Sequence, residues 1–189
     1  MKIGFFGGTF NPPHKGHEGI IDYCSNLFDQ LLIFPNMTSP DKLNSPPVDF
    51  KHRINMLELI INKDNVLIDG YETVSNVPNY TFHTIQYLMD KYKDSDLFMI
   101  IGKDQLINLD NWYNSKFIKK NINILCFDRL LSQSDNKLIE LYPDVELIEF
   151  EFSVSSSYIR EEIYGNKKID SSLLSDKVKK YINKYHLYA

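Results

Sequence analysis

The chain has 189 residues, 43% of them apolar and 24% charged, with a formal net charge of −4. That fits one domain over residues 1–189 with a substantial core, and an acidic balance without a basic stripe argues against a nucleic-acid partner. No run approaches the ~20 apolar residues that span a bilayer, and the N-terminus has no signal-peptide layout, so a cytoplasmic protein without a membrane partner is expected. Cys24 and Cys126 lie in apolar segments and read as buried thiols. Nothing in the sequence chooses between a monomer and a small homo-oligomer.

In chain order, Ile3 to Phe6 is an apolar run that predicts a buried strand, stopping at Gly7-Gly8. Glycines there allow a tight turn or a close backbone approach to a ligand. Thr9, Phe10, Asn11 and Pro12-Pro13 follow, then His14 and His17, and an apolar-periodic helix from Ile20 to Leu27. In an open α/β sheet the first strand ends at a crevice into which loop and helix-start amides point. His14 and His17 share a face if the helix has begun by then. Two imidazoles beside amide donors suit a polyphosphate; the alternative is a tight turn with two surface histidines.

Gln30 to Pro35 is a second strand, and residues 36–48 form a Pro-, Asn- and Ser-rich loop carrying Asp41 and Lys42. Asp49 caps a helix through Ile61, with His52 and Arg53 near its start on a face read as solvated. Val66 to Ile68 is a short strand. A helix runs from Tyr80 to about Tyr92, and Asp96 to Ile101 is an apolar strand ended by Gly102-Lys103-Asp104. Asp104, at a strand end, is a helix cap, an acceptor for ligand hydroxyls, or both. Trp112, the only tryptophan, sits among polar neighbours with Tyr113 and offers a stacking face or simple packing. A short helix over Ser115 to Lys120 precedes a strand over Asn123 to Phe127, with Asp128-Arg129 at its end. Ser132 to Tyr142 is a polar helix or loop, and Val145 to Phe152 contains a strand. Serines before an apolar-periodic segment mark a helix start at Val154 to Arg160, and a last amphipathic helix covers Leu173 to Tyr185. Alternating strands and helices predict an α/β fold: a doubly wound, mainly parallel sheet with helices on both faces.

The stretch from Gly7 to His17 resembles the signature of the nucleotidyltransferase superfamily: glycine-glycine-threonine-phenylalanine, then histidine-x-glycine-histidine. Val154-Ser155-Ser156-Ser157-Tyr158-Ile159-Arg160 resembles its second motif, isoleucine-serine-serine-threonine-x-isoleucine-arginine. Tyr80-Thr81-Phe82-His83-Thr84 resembles a tyrosine-threonine-x-aspartate-threonine segment, with His83 where aspartate is common. Ser39-Pro40-Asp41-Lys42 stands where proline-proline-histidine-lysine is usual. Within the superfamily the chain is similar, over nearly its whole length, to bacterial nicotinate-nucleotide adenylyltransferases. The resemblance implies a Rossmann-like fold and adenylyl transfer from ATP to nicotinate mononucleotide, with magnesium bridging ATP oxygens.

It also implies the site residues. His14, His17 and Arg160 would be catalytic, acting on the phosphates. Gly7, Gly8, Thr9 and Phe10 would join them in binding ATP, with Gly102, Asp104 and Ser156. Asn11, Lys42, Tyr80 and Thr81 would hold the mononucleotide, together with Trp112, Tyr113 and Arg129. No protein metal cage is expected. Related readings are a nicotinamide-mononucleotide or pantetheine-phosphate adenylyltransferase; one of another class is a nucleotide-binding protein without catalysis.

Overall fold

In a computed structural model the protein is described over residues 1–37, 47–73, 80–128, 142, 144–150, 152 and 154–189. Six strands form one sheet: β1 (Lys2–Gly8), β2 (Gln30–Pro35), β3 (Val66–Ile68), β4 (Asp96–Gly102), β5 (Asn123–Asp128) and β6 (Val145–Glu149). Their spatial order is β3-β2-β1-β4-β5-β6, and every pairing is parallel. The expected parallel, doubly wound sheet is therefore present. The chain lays strands outward on one side of β1, then returns to add β4 on its other side. The carboxyl ends of β1 and β4 thus flank the switch point where such sheets open a crevice.

The helices are α1 (Lys15–Ser25), α2 (Phe50–Glu58), α3 (Thr81–Lys91), α4 (Lys103–Ile107), α5 (Ser115–Asn121), α6 (Ser156–Tyr164) and α7 (Asp176–Tyr185). Strand side chains alternate between two cores with the period of two that a pleat imposes. Phe6, Leu31, Ile33, Ile100 and Leu125 face one core, closed by Ile21, Met56, Ile159 and Val178 from α1, α2, α6 and α7. Ile3, Phe5, Leu32, Met99 and Ile124 face the other, closed by Ile85, Leu106 and Ile118 from α3, α4 and α5. Strands buried on both faces read as continuous apolar runs, which is why the sequence located them well. Cys24 and Cys126 are free and buried as expected, and burial pushes the Cys24 thiol up to about 12.

Some boundaries differ from the sequence reading. β1 continues through Gly7 and Gly8, which stay in register with Phe34 and Pro35 of β2. The left-handed residue of the loop is Phe10, at φ 50°; no glycine among the described residues has positive φ. Phe10 is driven there by its ring, which is 1% exposed and packs edge-on to Phe6. α1 begins at Lys15, well before the first apolar-periodic residue. α2 stops at Glu58, with Asp49 accepting from the Lys51 amide as the expected cap. α7 starts only after Ser175, whose hydroxyl caps the Val178 amide. Most of the segment from Ser132 to Tyr142 lies outside the described residues, as do Lys42 and Arg129.

Candidate active site

Two cavities open at the carboxyl ends of β1 and β4. One, of about 600 Å³, is walled by His14, Gly16, Ile20, Lys103, Asp128 and Phe150 among others. The second, of about 520 Å³, is walled by Gly7, Gly8, Thr9, Tyr80, Thr81, Trp112 and Tyr113, with Asn36 and Glu72. Phe6, His17, Gly102 and Asp104 belong to both walls. His17 and Asp104 thus stand where the cavities meet.

The orientation of His17 follows from the helix start. His14 is the N-cap of α1, and its backbone N–H donates to His17 Nδ1 at 3.2 Å. A nitrogen that accepts must carry its lone pair, so in neutral His17 the hydrogen lies on Nε2. The two imidazoles stack with centroids 3.7 Å apart, and the Phe10 ring meets His17 edge-on at 5.0 Å. Packing therefore fixes the ring plane while the helix start fixes its tautomer. Gly16 permits this: a Cβ there would stand 3.1 Å from the His14 ring and 3.0 Å from Phe152.

Several residues expected to touch ligand also brace the loop. Ser156 Oγ donates to the Pro12 carbonyl at 2.8 Å, and Arg160 Nη1 donates to the Asn11 carbonyl at 2.8 Å. Arg160 Nη2 donates to Ser157 Oγ. Asn11 is buried, its Oδ1 accepting from the Tyr188 hydroxyl and the Val48 amide. Neither Ser156, Arg160, Asn11 nor Phe10 is among the wall residues of either cavity. The physical reason is shared. Asn11 and Pro12 are buried, and buried carbonyls need donors. The serine-rich start of α6 supplies them. Gly7, Gly8 and Thr9, expected on the ATP side, wall the cavity that holds Trp112.

Arg53 was read as a solvated helix residue and is 1% exposed. Its guanidinium donates to the carbonyls of Thr9 (2.8 Å), Asn36 (2.7 Å), Met37 (3.4 Å) and Val48 (3.2 Å). Burial pulls it down to about 10, opposed by nearby Tyr188 and Asp49. The acceptors come from separate loops, so no local sequence signal marks the role.

Three further wall residues carry no earlier assignment. Lys103 Nζ and Asp128 Oδ2 pair at 2.7 Å across the ends of β4 and β5; a strand-end position was their only signal. Glu72, in a 3₁₀ turn over Tyr71–Thr73, is 7% exposed and accepts from Thr84 Oγ1 at 2.6 Å. Burial pushes its carboxyl up to about 7, against the lowering effect of the Thr84 hydrogen bond, while Asp69 raises it further. Trp112 is half-buried, packing on the α3–α5 core while also walling the cavity. Tyr80 and Tyr113, with rings 5.1 Å apart, are more exposed.

Among the described residues, no helix is long and apolar enough to cross a membrane.

The Cytidylyltransferase-like family model matches residues 5–162. A nicotinate-nucleotide adenylyltransferase of Bacillus subtilis (strain 168) is 36% identical over 191 residues, covering 99% of this chain and 98% of that one. A nicotinic acid mononucleotide adenylyltransferase of Plasmodium falciparum, solved in complex with NaAD, superposes with a TM-score of 0.85 at 21% identity, covering 99% of this chain and 97% of that one. The same protein complexed with APC gives a TM-score of 0.84. At that identity the superpositions establish the shared fold. With a whole-length relative more than one-third identical and a crevice built at the β1/β4 switch point, this chain belongs to the nicotinate-nucleotide adenylyltransferase family, within the nucleotidyltransferase superfamily.

Proposed function

We propose that the protein transfers the adenylyl group of ATP to nicotinate mononucleotide, giving nicotinate adenine dinucleotide and pyrophosphate. The observation that carries this reading is the wall common to both cavities, with His17 and Asp104 in it. A transfer between two nucleotides needs two adjoining sites and a donor group at their junction. ATP occupies the cavity with His14, and the mononucleotide the cavity with Trp112.

The mononucleotide phosphate is itself the nucleophile. Its oxygen attacks the α-phosphorus, the bond from that phosphorus to the α–β bridging oxygen breaks, and pyrophosphate leaves with the electron pair. The protein supplies position and charge stabilisation. His17 Nε2–H donates to the charge that builds on the phosphate oxygens, and His14, stacked on it, lies on the triphosphate side. Asp104 accepts from ribose hydroxyls. Arg160 and Ser156 act by holding the Asn11-Pro12 carbonyls and thus the loop. Trp112 stacks on the pyridine ring, with Tyr80, Thr81 and Tyr113 at its edge.

Magnesium, where bound, would be brought by ATP and would supply charge neutralisation at the phosphates, needing no all-protein ligand cage. Among the described residues no three His, Cys, Asp or Glu side chains are grouped to hold a metal, and Asp128 is already paired with Lys103.

A panel assay tests the reading. ATP is supplied with nicotinate mononucleotide, nicotinamide mononucleotide or phosphopantetheine, and pyrophosphate and the adenylylated product are both followed. Turnover confined to phosphopantetheine, or ATP binding without product from any acceptor, overturns it.

Two variants probe the geometry. Trp112→Ala is expected to raise KM for the mononucleotide by roughly 5- to 150-fold, the range of one lost stacking contact of ~1–3 kcal/mol, with KM for ATP little changed. An unchanged mononucleotide KM would leave Trp112 as packing only. Gly16→Ala pushes a methyl against the His14 ring, so kcat/KM is expected to fall by ~10- to 100-fold through misplacement alone. Steady-state kinetics beside a melting curve separates this from unfolding.

A further inference from the structure

The cavity proposed to take the acid is the second one. Among the described wall residues there is no lysine or arginine; the ionisable side chains are Glu72, Tyr80, Tyr113 and, on the common wall, His17 and Asp104. In the proposed reading His17 and Asp104, on the wall shared with the first cavity, take the phosphate end. Tyr80, Thr81, Trp112 and Tyr113 mark the ring end, and Glu72 is a carboxyl on that same wall. An ionised carboxyl beside an anionic ring substituent would repel it, whereas a protonated one is a hydrogen-bond donor to it.

We propose that Glu72, in its protonated form, hydrogen-bonds the carboxylate of a pyridine-carboxylate mononucleotide, and so makes the choice of acid over amide depend on pH. The proposal rests on the function proposed above. Two features support the protonated form, and one opposes it. The side chain is 7% exposed, and a buried carboxyl without a cation favours its neutral state. Thr84, from α3, anchors the group by donating to Oε1 at 2.6 Å; that bond favours the charged form, and burial outweighs it. Its carboxyl is raised to about 7, so it changes charge within the working range of pH.

Other titrating groups approach from the elements packed around it. Asp69 follows β3 and is bonded by Tyr87 and Lys91 from α3. Tyr71 stacks on Tyr87. His83 stands 5.9 Å, centroid to centroid, from the Tyr113 ring. Asp69 shares its charge with Lys91, at 3.1 Å, and its effect adds to that of burial on Glu72. The sign follows. Below about pH 7 Glu72 is protonated and accepts the acid; as pH rises through its ionisation, acid binding weakens, while the neutral amide substituent meets no such penalty.

Calorimetric dissociation constants for nicotinate mononucleotide and nicotinamide mononucleotide are measured at pH 6 and pH 8.5. The phosphate is common to both ligands, so its titration cancels in their ratio. In the wild type the acid-to-amide Kd ratio is expected to rise roughly 30-fold, the factor by which the protonated fraction falls. In Glu72→Gln, whose amide can accept from Thr84 and donate to a carboxylate at either pH, the ratio is expected to stay flat. A flat wild-type ratio overturns the proposal without any variant, and so does a slope that persists in Glu72→Gln, which would assign the titration to another group. If neither mononucleotide binds, the proposed function falls and this inference with it. If both bind at a constant ratio, only the role of Glu72 falls.

Discussion

Replacing His17 by alanine is expected to lower kcat/KM by about 10²- to 10³-fold, the cost of removing one preorganised donor to a developing oxyanion. The motivation is geometric. His17 lies on the wall of both cavities, and its Nδ1 is committed to the His14 amide at 3.2 Å. Only Nε2 can then face a phosphate, and it arrives with its hydrogen. His17→Gln keeps a donor but loses the ring that Phe10 and His14 hold, so it is expected to recover only part of the loss. Binding of ATP in the absence of turnover is expected to weaken much less than kcat/KM, because the donor matters most when charge builds. Near-normal turnover of a folded His17→Ala protein would remove His17 from the mechanism.

The second large effect concerns stability. Arg53→Ala is expected to destabilise the fold by about 3–5 kcal/mol, read as a lower urea midpoint at unchanged slope. The guanidinium serves four carbonyls from three stretches: Thr9 after β1, Asn36 and Met37 after β2, and Val48 before α2. Removing it leaves buried acceptors without donors and opens a cavity. Arg53→Met restores volume but no donors, so most of the loss is expected to remain. Thr9 and Asn36 also wall the second cavity, so mononucleotide binding is expected to suffer even where the variant stays folded. A midpoint shift worth less than ~1 kcal/mol would mean that water replaces the guanidinium at little cost.

What the sequence disclosed and what it hid divide along a physical line. Strands β2 and β3 were located to the residue: β2 because a strand buried on both faces leaves a continuous apolar run, and the edge strand β3 because its apolar triplet stands between turn residues. His14 and His17 were expected to share a face if the helix had begun by His14; it begins at Lys15, and the two rings meet instead because His14 is its N-cap and His17 its third residue. Tyr80, Thr81, Trp112 and Tyr113, far apart along the chain, do share one cavity; the family resemblance grouped them where periodicity could not. Arg53, Glu72 and Asn11 are the opposite case. A charged or polar side chain is buried when distant backbone or hydroxyl groups satisfy it, and nothing local announces those partners. The glycine loop misled for a related reason. Gly7 and Gly8 signal freedom to turn, yet the strand pairing with β2 holds them extended and leaves the left-handed residue to Phe10, whose ring burial offsets the strain.

The wall common to the two cavities has a consequence for ligand design. A molecule that reaches across His17 and Asp104 meets both pockets while losing its translational freedom once. Its second half arrives at an effective concentration set by the tether, millimolar for a short one, and affinity then exceeds that of either half alone without any new contact. The dinucleotide product is such a molecule. Two modest fragments, one for each pocket, joined by a linker short enough to pass the His17 edge, exploit the same geometry.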